Sequence, residues 1–203
     1  MKSYSQNSED TFILELFRGI KRELFYLELG AGDGEHFSNC KLLKENGWTG
    51  ISIDADNKGN GEVISAFITR ENIISLIEGS VKGRGIDFLS IDLDGNDYWI
   101  LKEILTYMDP CVICMEINSQ LPNDEEMVIN YDPDRSWNGS FAYGMNYEAA
   151  LRLMDDFGYS VIKNCSNTNL IAARRIPDYE DFGKTYSHPE VLPEGSFFLN
   201  PNP

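Results

Sequence analysis

The stretch "LFYLELGAGDGEHF", residues 24–37, decides the fold. Its first half is a continuous apolar run, the pattern of a strand buried on both faces. Its second half places Gly30, Gly32 and Gly34 at alternate positions. Glycine tolerates backbone angles that a Cβ forbids and lets a ligand come against the main chain. A buried strand ending in such a turn predicts a nucleotide-sized ligand at the carboxyl edge of a parallel sheet. The dinucleotide pattern G-x-G-x-x-G is not met, because Glu35 stands where its third glycine belongs and, with Asp33, opposes a pyrophosphate.

Outward from this turn, short apolar runs alternate with helical patterns. Phe12, Ile13, Leu16 and Phe17 fall at helical spacing behind Ser8, a cap residue, which predicts a helix over residues 8–18. Beyond the glycines, a helix over 37–46 closed by Gly47 leads into a strand at 50–54. "EVISAFI" (62–68) reads as a third strand, "TRENIISLIEG" (69–79) as a helix, "IDFLSID" (86–92) as a fourth strand and "DYWILKEILTYM" (97–108) as a helix stopped before Pro110. "CVICMEI" (111–117) is a fifth strand. Asn146 caps "YEAALRLMDDFG", Gly158 ends it, and "YSVIKN" and "TNLIAAR" follow as two strands joined by a turn. This order predicts an α/β fold: one seven-stranded, mostly parallel sheet with an antiparallel edge and helices on both faces. Residues 1–203 are expected to form a single domain, with an N-terminal helical segment at 1–22 and an irregular tail at 176–203.

Composition narrows the partners. The chain has 203 residues, 42% hydrophobic, enough for one real core. A net charge of −16 repels nucleic-acid backbones and anionic membranes, so neither is an expected partner. No secretory leader and no membrane-spanning run is evident, and the expected location is the cytoplasm. The CxxC formed by Cys111 and Cys114 sits in a strand-like run, where residues three apart face opposite ways, so both read as small buried hydrophobes.

The pattern E-x-G-x-G-x-G beginning at Glu28 resembles the first motif of class I S-adenosylmethionine (SAM)-dependent methyltransferases. With "YSQNSED", "GWTGISIDAD", "DFLSIDLDGNDYWI", "MEIN" and the block from Tyr131 to Arg174, the chain resembles the FkbM-like group of that class over residues 4–175. The resemblance implies a Rossmann-like class I methyltransferase fold, SAM as cofactor, and methyl transfer to a hydroxyl of a carbohydrate-like small acceptor. It implies cofactor contacts at Glu28, Gly30, Ala31, Gly32 and Gly34, and at Gln6 folding over from the opening motif. Asp54, about 20 residues beyond the glycines, suits a ribose, since a carboxylate offers two oxygens at the spacing of a diol. The connection "ADNKGNGE" is too short for the helix usual there.

Three aspartates crowd the end of the fourth strand. Asp92 is expected to hold the amino group at the methionine end of the cofactor. Asp92 and Asp94, near Glu116 and Asn118 at the end of the adjacent strand, form an oxygen-rich set suited to Mg²⁺ or Ca²⁺. Without a metal, Asp97 or Glu116 serves as the base that takes the acceptor's proton, with His36 a further candidate. The helix-start reading competes for Asp97, because acids are favoured at a helix N-terminus. Tyr131, Asp134, Arg135, Trp137 and Tyr143 mark a long loop that reads equally as a rim for a sugar and as packing scaffold. The rival functions are a SAM-binding module of the same fold that transfers nothing, and a nicotinamide-dependent oxidoreductase, against which the missing third glycine counts. The oligomeric state stays open, and a homo-oligomer is compatible with the sequence.

Overall fold

In a computed structural model the described residues are 2–21, 23–56, 61–81 and 84–174. The tail expected at 176–203 lies outside them. The elements are α1 (Glu9–Leu16), β1 (Phe25–Leu29), α2 (Lys41–Glu45), β2 (Thr49–Asp54), β3 (Val63–Ser65), α3 (Ile73–Val81), β4 (Phe88–Ile91), α4 (Asp97–Tyr107), β5 (Val112–Glu116), α5 (Tyr147–Asp156), β6 (Ser160–Cys165) and β7 (Asn169–Ala173). The strands form one sheet in the order β3-β2-β1-β4-β5-β7-β6. All neighbours through β5 pair parallel, and the closing β6–β7 hairpin makes the antiparallel edge, with β7 set between β5 and β6. This is the seven-stranded, mostly parallel α/β sheet with an antiparallel edge expected from the sequence. The strand order reverses between β1 and β4, which opens the crevice used for ligands.

Alternation along the strands builds two apolar layers. Leu27 and Leu29 of β1, Leu89 and Ile91 of β4 and Ile113 of β5 pack with Ile73 and Ile77 of α3, Ile100 and Ile104 of α4 and Leu153 of α5. On the other face Tyr26, Phe88, Val112 and Ile171 pack with Phe12, Ile13 and Leu16 of α1 and Leu43 of α2. Cys111 and Cys114 both join this second layer, not opposite faces, because Cys111 precedes β5 and is free of its alternation. All four cysteines are buried. No helix among the described residues is long and apolar enough to cross a membrane.

Three local departures from the sequence reading share a cause: polar side chains that capture backbone. Ser8 lies in the left-handed region (φ 64°) and makes no side-chain cap. The start of α1 is instead organised by Asp10, whose carboxylate accepts from Tyr4 N (2.8 Å) and the Ser3 and Ser5 hydroxyls (2.7 and 2.9 Å). The helix expected over 37–46 shrinks to Lys41–Glu45, because buried Glu28 binds Ser38, Asn39 and Cys40 in a turn. The helix expected from 69 begins at Ile73, since the Asn72 side chain ties Thr69 N and Phe67 O (both 2.8 Å) into the preceding turn. By contrast Asn146 caps α5 as read, its side chain accepting from Ala149 N at 2.9 Å.

Candidate active site

A cleft of about 470 Å³ opens at the carboxyl edge of β1, β2 and β4, within the size range of small-molecule sites. Its floor is the glycine turn. Gly30 has φ +81°, and a Cβ there would stand 1.6 Å from the Asp92 carbonyl oxygen, so only glycine lets β1 end against β4. Gly32 (φ +54°) faces open space, which leaves its main chain accessible to a ligand. Ala31 is buried and donates its N–H to Ile53 O. Gly34 turns away, toward Val63 of β3.

Asp54 ends β2 and lines the cleft. One of its oxygens accepts from Gly32 N and the other from Asp56 N, both at 2.8 Å, which fixes the carboxylate against the glycine turn. Each oxygen keeps lone-pair capacity for a diol. Glu28 is fully engaged: Oε1 accepts from Ser38 Oγ and Asn39 N (2.8 Å each) and Oε2 from Ser52 Oγ (2.9 Å). Burial raises its pKa against these bonds. Its place is behind the turn, where it fixes residues 38–40. His36 is exposed at the cleft mouth, with Nδ1 2.6 Å from Asp33, a bond that raises its pKa. Gln6 is exposed and lies outside the lining of this cleft, although Asn7 beside it is tied to Glu9 and Thr168.

The crowded aspartates separate into different roles. Oxygens of Asp92, Asp97 and Glu116 lie within 4.8 Å of one another, from the ends of β4 and β5 and the first turn of α4. Asp97 therefore takes the position expected for Asp94, which has φ 52° and turns outward at the edge of the site, near enough to Asp54 for that charge to raise its pKa after partial desolvation. Asp97 itself is fully buried, and its oxygens accept from Leu93 N (2.7 Å) and Gly95 N (2.9 Å), so it shapes the loop as a helix-start acid does. Asp92 and Glu116 stand close enough for each carboxyl to shift the other. Burial first, then the neighbouring carboxylates, push Asp92 up to about 8 and Glu116 to about 11. Placing like charges together away from water favours the neutral acids. Glu116 Oε2 is buried with no hydrogen-bond partner. Asn118, expected nearby, spends its amide on the carbonyls of Phe141 and Tyr143.

The connection from β5 to α5 arches over this edge. It is pinned by Gly144 N to Gly95 O (2.9 Å), Asn96 Nδ2 to Asp132 O (2.8 Å) and Trp99 Nε1 to Ile129 O (2.8 Å). Tyr131 bonds Glu71 and Arg70 and so anchors the loop to the turn before α3, while Arg135 and Trp137 line the cleft. The Tyr143 phenol is raised by burial and then by Glu116, which puts it beside the acid pair. The sequence reading missed Asn39, Ser90, Phe37 and Phe67, all lining the cleft. Asn39 donates to Ser90 Oγ at 2.9 Å and leaves its Oδ1 buried without a partner. The available signal was the polar pair Ser38–Asn39 directly behind the glycines.

No family model matches the chain, and no curated protein matches it. Among solved structures it is similar in shape to the N-terminal domain of EvdMO1 with SAH bound, at 10% identity over 85% of this chain and 82% of that one, with a TM-score of 0.46. A Burkholderia thailandensis O-methyltransferase family protein gives 12% identity over 82% and 58%, with a TM-score of 0.47. The E. cuniculi Mtq2–Trm112 complex gives 11% over 86% and 99%, with a TM-score of 0.43. Scores this low leave the functional reading to the site itself.

Proposed function

We propose that the protein is a SAM-dependent methyltransferase that acts on a hydroxyl of a carbohydrate-like small molecule in the cytoplasm. The observation that carries this reading is the cleft in which the open main chain at Gly32, the fixed carboxylate of Asp54 and the acid pair of Asp92 and Glu116 follow one another along the carboxyl edge. Bound SAM supplies an electrophilic methyl group on a sulfonium. Asp54 holds the ribose hydroxyls and Asp92 the ammonium group. The glycine turn allows close approach of the chain of atoms between them. Positive charge beside Asp92 and Glu116 lowers their pKa values so that a proton passes to solvent, and the carboxylate so formed then accepts the proton of the attacking hydroxyl. Asp97 is a positioning residue in this scheme, since both its oxygens already serve backbone amides.

The donor set also fits a hard divalent cation in type, with three carboxylates and one unpartnered oxygen. Asp92, Asp97 and Glu116 would hold Mg²⁺, which would supply charge to lower the pKa of an acceptor hydroxyl. A binding module without transfer is favoured by the burial of the pair beside other carboxylates, which raises both pKa values and disfavours the ionised base. Calorimetric titration with S-adenosylhomocysteine, with and without Mg²⁺, tests the cofactor assignment. Micromolar binding that Asp54→Ala loses supports it, and absence of binding under both conditions overturns it. Turnover of labelled SAM against a panel of hydroxylated sugars separates enzyme from binding module.

A further inference from the structure

The cleft is lined by the carboxylates Glu28, Asp54, Asp56, Asp92 and Asp94, and by one permanent cation among the described residues, Arg135. In a chain with 33 acidic residues against 17 basic ones, a guanidinium in such surroundings is expected to be ion-paired. It is not. Arg135 makes no ion pair among the described residues. Its Nε is buried with no acceptor, and its side chain makes a single long bond, from one terminal nitrogen to Ala142 O at 3.4 Å. A buried donor on a charged group left unpaired is costly, and native proteins rarely keep one without a use.

The side chain is also held in place. A Cβ on Gly95 would lie 3.2 and 3.3 Å from Arg135 Cδ and Cγ, so the arginine stem rests in a groove that glycine leaves open. Its backbone N–H donates to Asp132 O (3.0 Å), and Asp132 is in turn clasped by Asn96. Guanidinium offers a planar fork of donors that matches a carboxylate or a phosphate in two-point contact, and an uncharged sugar hydroxyl would leave most of that fork unused.

We propose that Arg135 is the anion-recognising residue of the cleft and takes a carboxylate or phosphate group carried by the ligand. This rests on the cleft being the ligand site proposed above. The surrounding carboxylates sharpen the selection, because they repel an anion everywhere except at Arg135 and so fix its orientation. Two sources carry this chemistry: the α-carboxylate at the methionine end of the cofactor, and an acidic acceptor such as a sugar phosphate. Trp137, 58% exposed and on the same rim two residues on, offers a face for the sugar ring in the second case.

The test is calorimetric titration of the full chain and of Arg135→Gln and Arg135→Lys with three compounds. These are S-adenosylhomocysteine, 5′-methylthioadenosine, which lacks the carboxylate, and glucose 1-phosphate, which lacks the nucleoside. Arg135→Gln is expected to weaken an anionic compound about 10- to 100-fold while methylthioadenosine changes less than about 2-fold, and Arg135→Lys to recover only part. Loss confined to S-adenosylhomocysteine assigns the cofactor carboxylate, and loss on glucose 1-phosphate assigns the acceptor. Binding of glucose 1-phosphate that depends on Arg135, with neither nucleoside bound by the native chain, sinks the cofactor reading and keeps this one. Equal affinities in native chain and Arg135→Gln, no binding of either anion, or an equal loss on all three compounds overturns the proposal.

Discussion

The two halves of the cleft are built differently. On the side of β1 and β2 the carboxylates of Glu28 and Asp54 are satisfied: Glu28 accepts from two hydroxyls and backbone amides, and Asp54 from two amides. On the side of β4, β5 and the overarching loop, polar groups stand unsatisfied: the crowded carboxyls of Asp92 and Glu116, an orphan oxygen on Glu116 and an orphan nitrogen on Arg135. The first half is a preformed cradle whose cost was met in folding. The second holds unfavourable electrostatics that only a ligand relieves, as expected where binding or chemistry occurs.

The comparison breaks most visibly at Gly30. Alanine there drives a Cβ into the Asp92 carbonyl and holds an L-residue at φ +81°, so we expect a loss of about 3 kcal/mol or more in urea unfolding. A loss under about 1 kcal/mol would mean that the two strand ends can separate and that the cradle is not rigid. Asp54→Ala comes next. It removes the diol acceptor at modest structural cost, and S-adenosylhomocysteine affinity should fall about 10- to 100-fold in calorimetry. Unchanged affinity would move the ribose elsewhere.

The acid pair sharpens the contrast through pH. Both groups have folded pKa values raised above ordinary carboxylate values, so the folded chain binds more protons than the unfolded chain. The stability carried by the protonated pair is fully present below about pH 4 and is lost as pH rises toward 8. Thermal midpoints of the ligand-free protein should fall between pH 5 and pH 8. Glu116→Gln cannot ionise, and it should flatten that slope and gain about 1–2 kcal/mol at pH 8. An unchanged slope would mean that the pair is solvated and not a store of unfavourable charge.

Much of the cradle was legible in sequence, because it rests on local rules: an apolar run, alternate glycines and an acid at the next strand end. The succession of strands and helices followed from periodicity. What was not legible depended on partners distant in the chain. Glu28 unwinds the start of α2 through Ser38–Cys40, a choice that helix propensity alone does not register. Asp94 and Asp97 were indistinguishable as acids near a strand end until the left-handed turn at Asp94 sent one outward and buried the other. Arg135 read only as part of a charged rim, since its meaning comes from Gly95 forty residues earlier.

The smallest effect belongs to Phe37, where the two halves meet. It follows the glycine turn, lines the cleft, has φ 59° and is 72% exposed. A bulky side chain in the left-handed region costs roughly 1–2 kcal/mol, and an exposed ring recovers little of that by burial. Strain without a packing return belongs to a group kept for a ligand. Phe37→Asn, which tolerates that backbone, should raise stability by up to about 1 kcal/mol in denaturant unfolding and weaken nucleoside binding in the same preparation. Opposite signs in the two measurements place the ring on the ligand side of the boundary. A fall in stability with unchanged affinity would return it to the scaffold and leave the boundary of the cradle at Gly34.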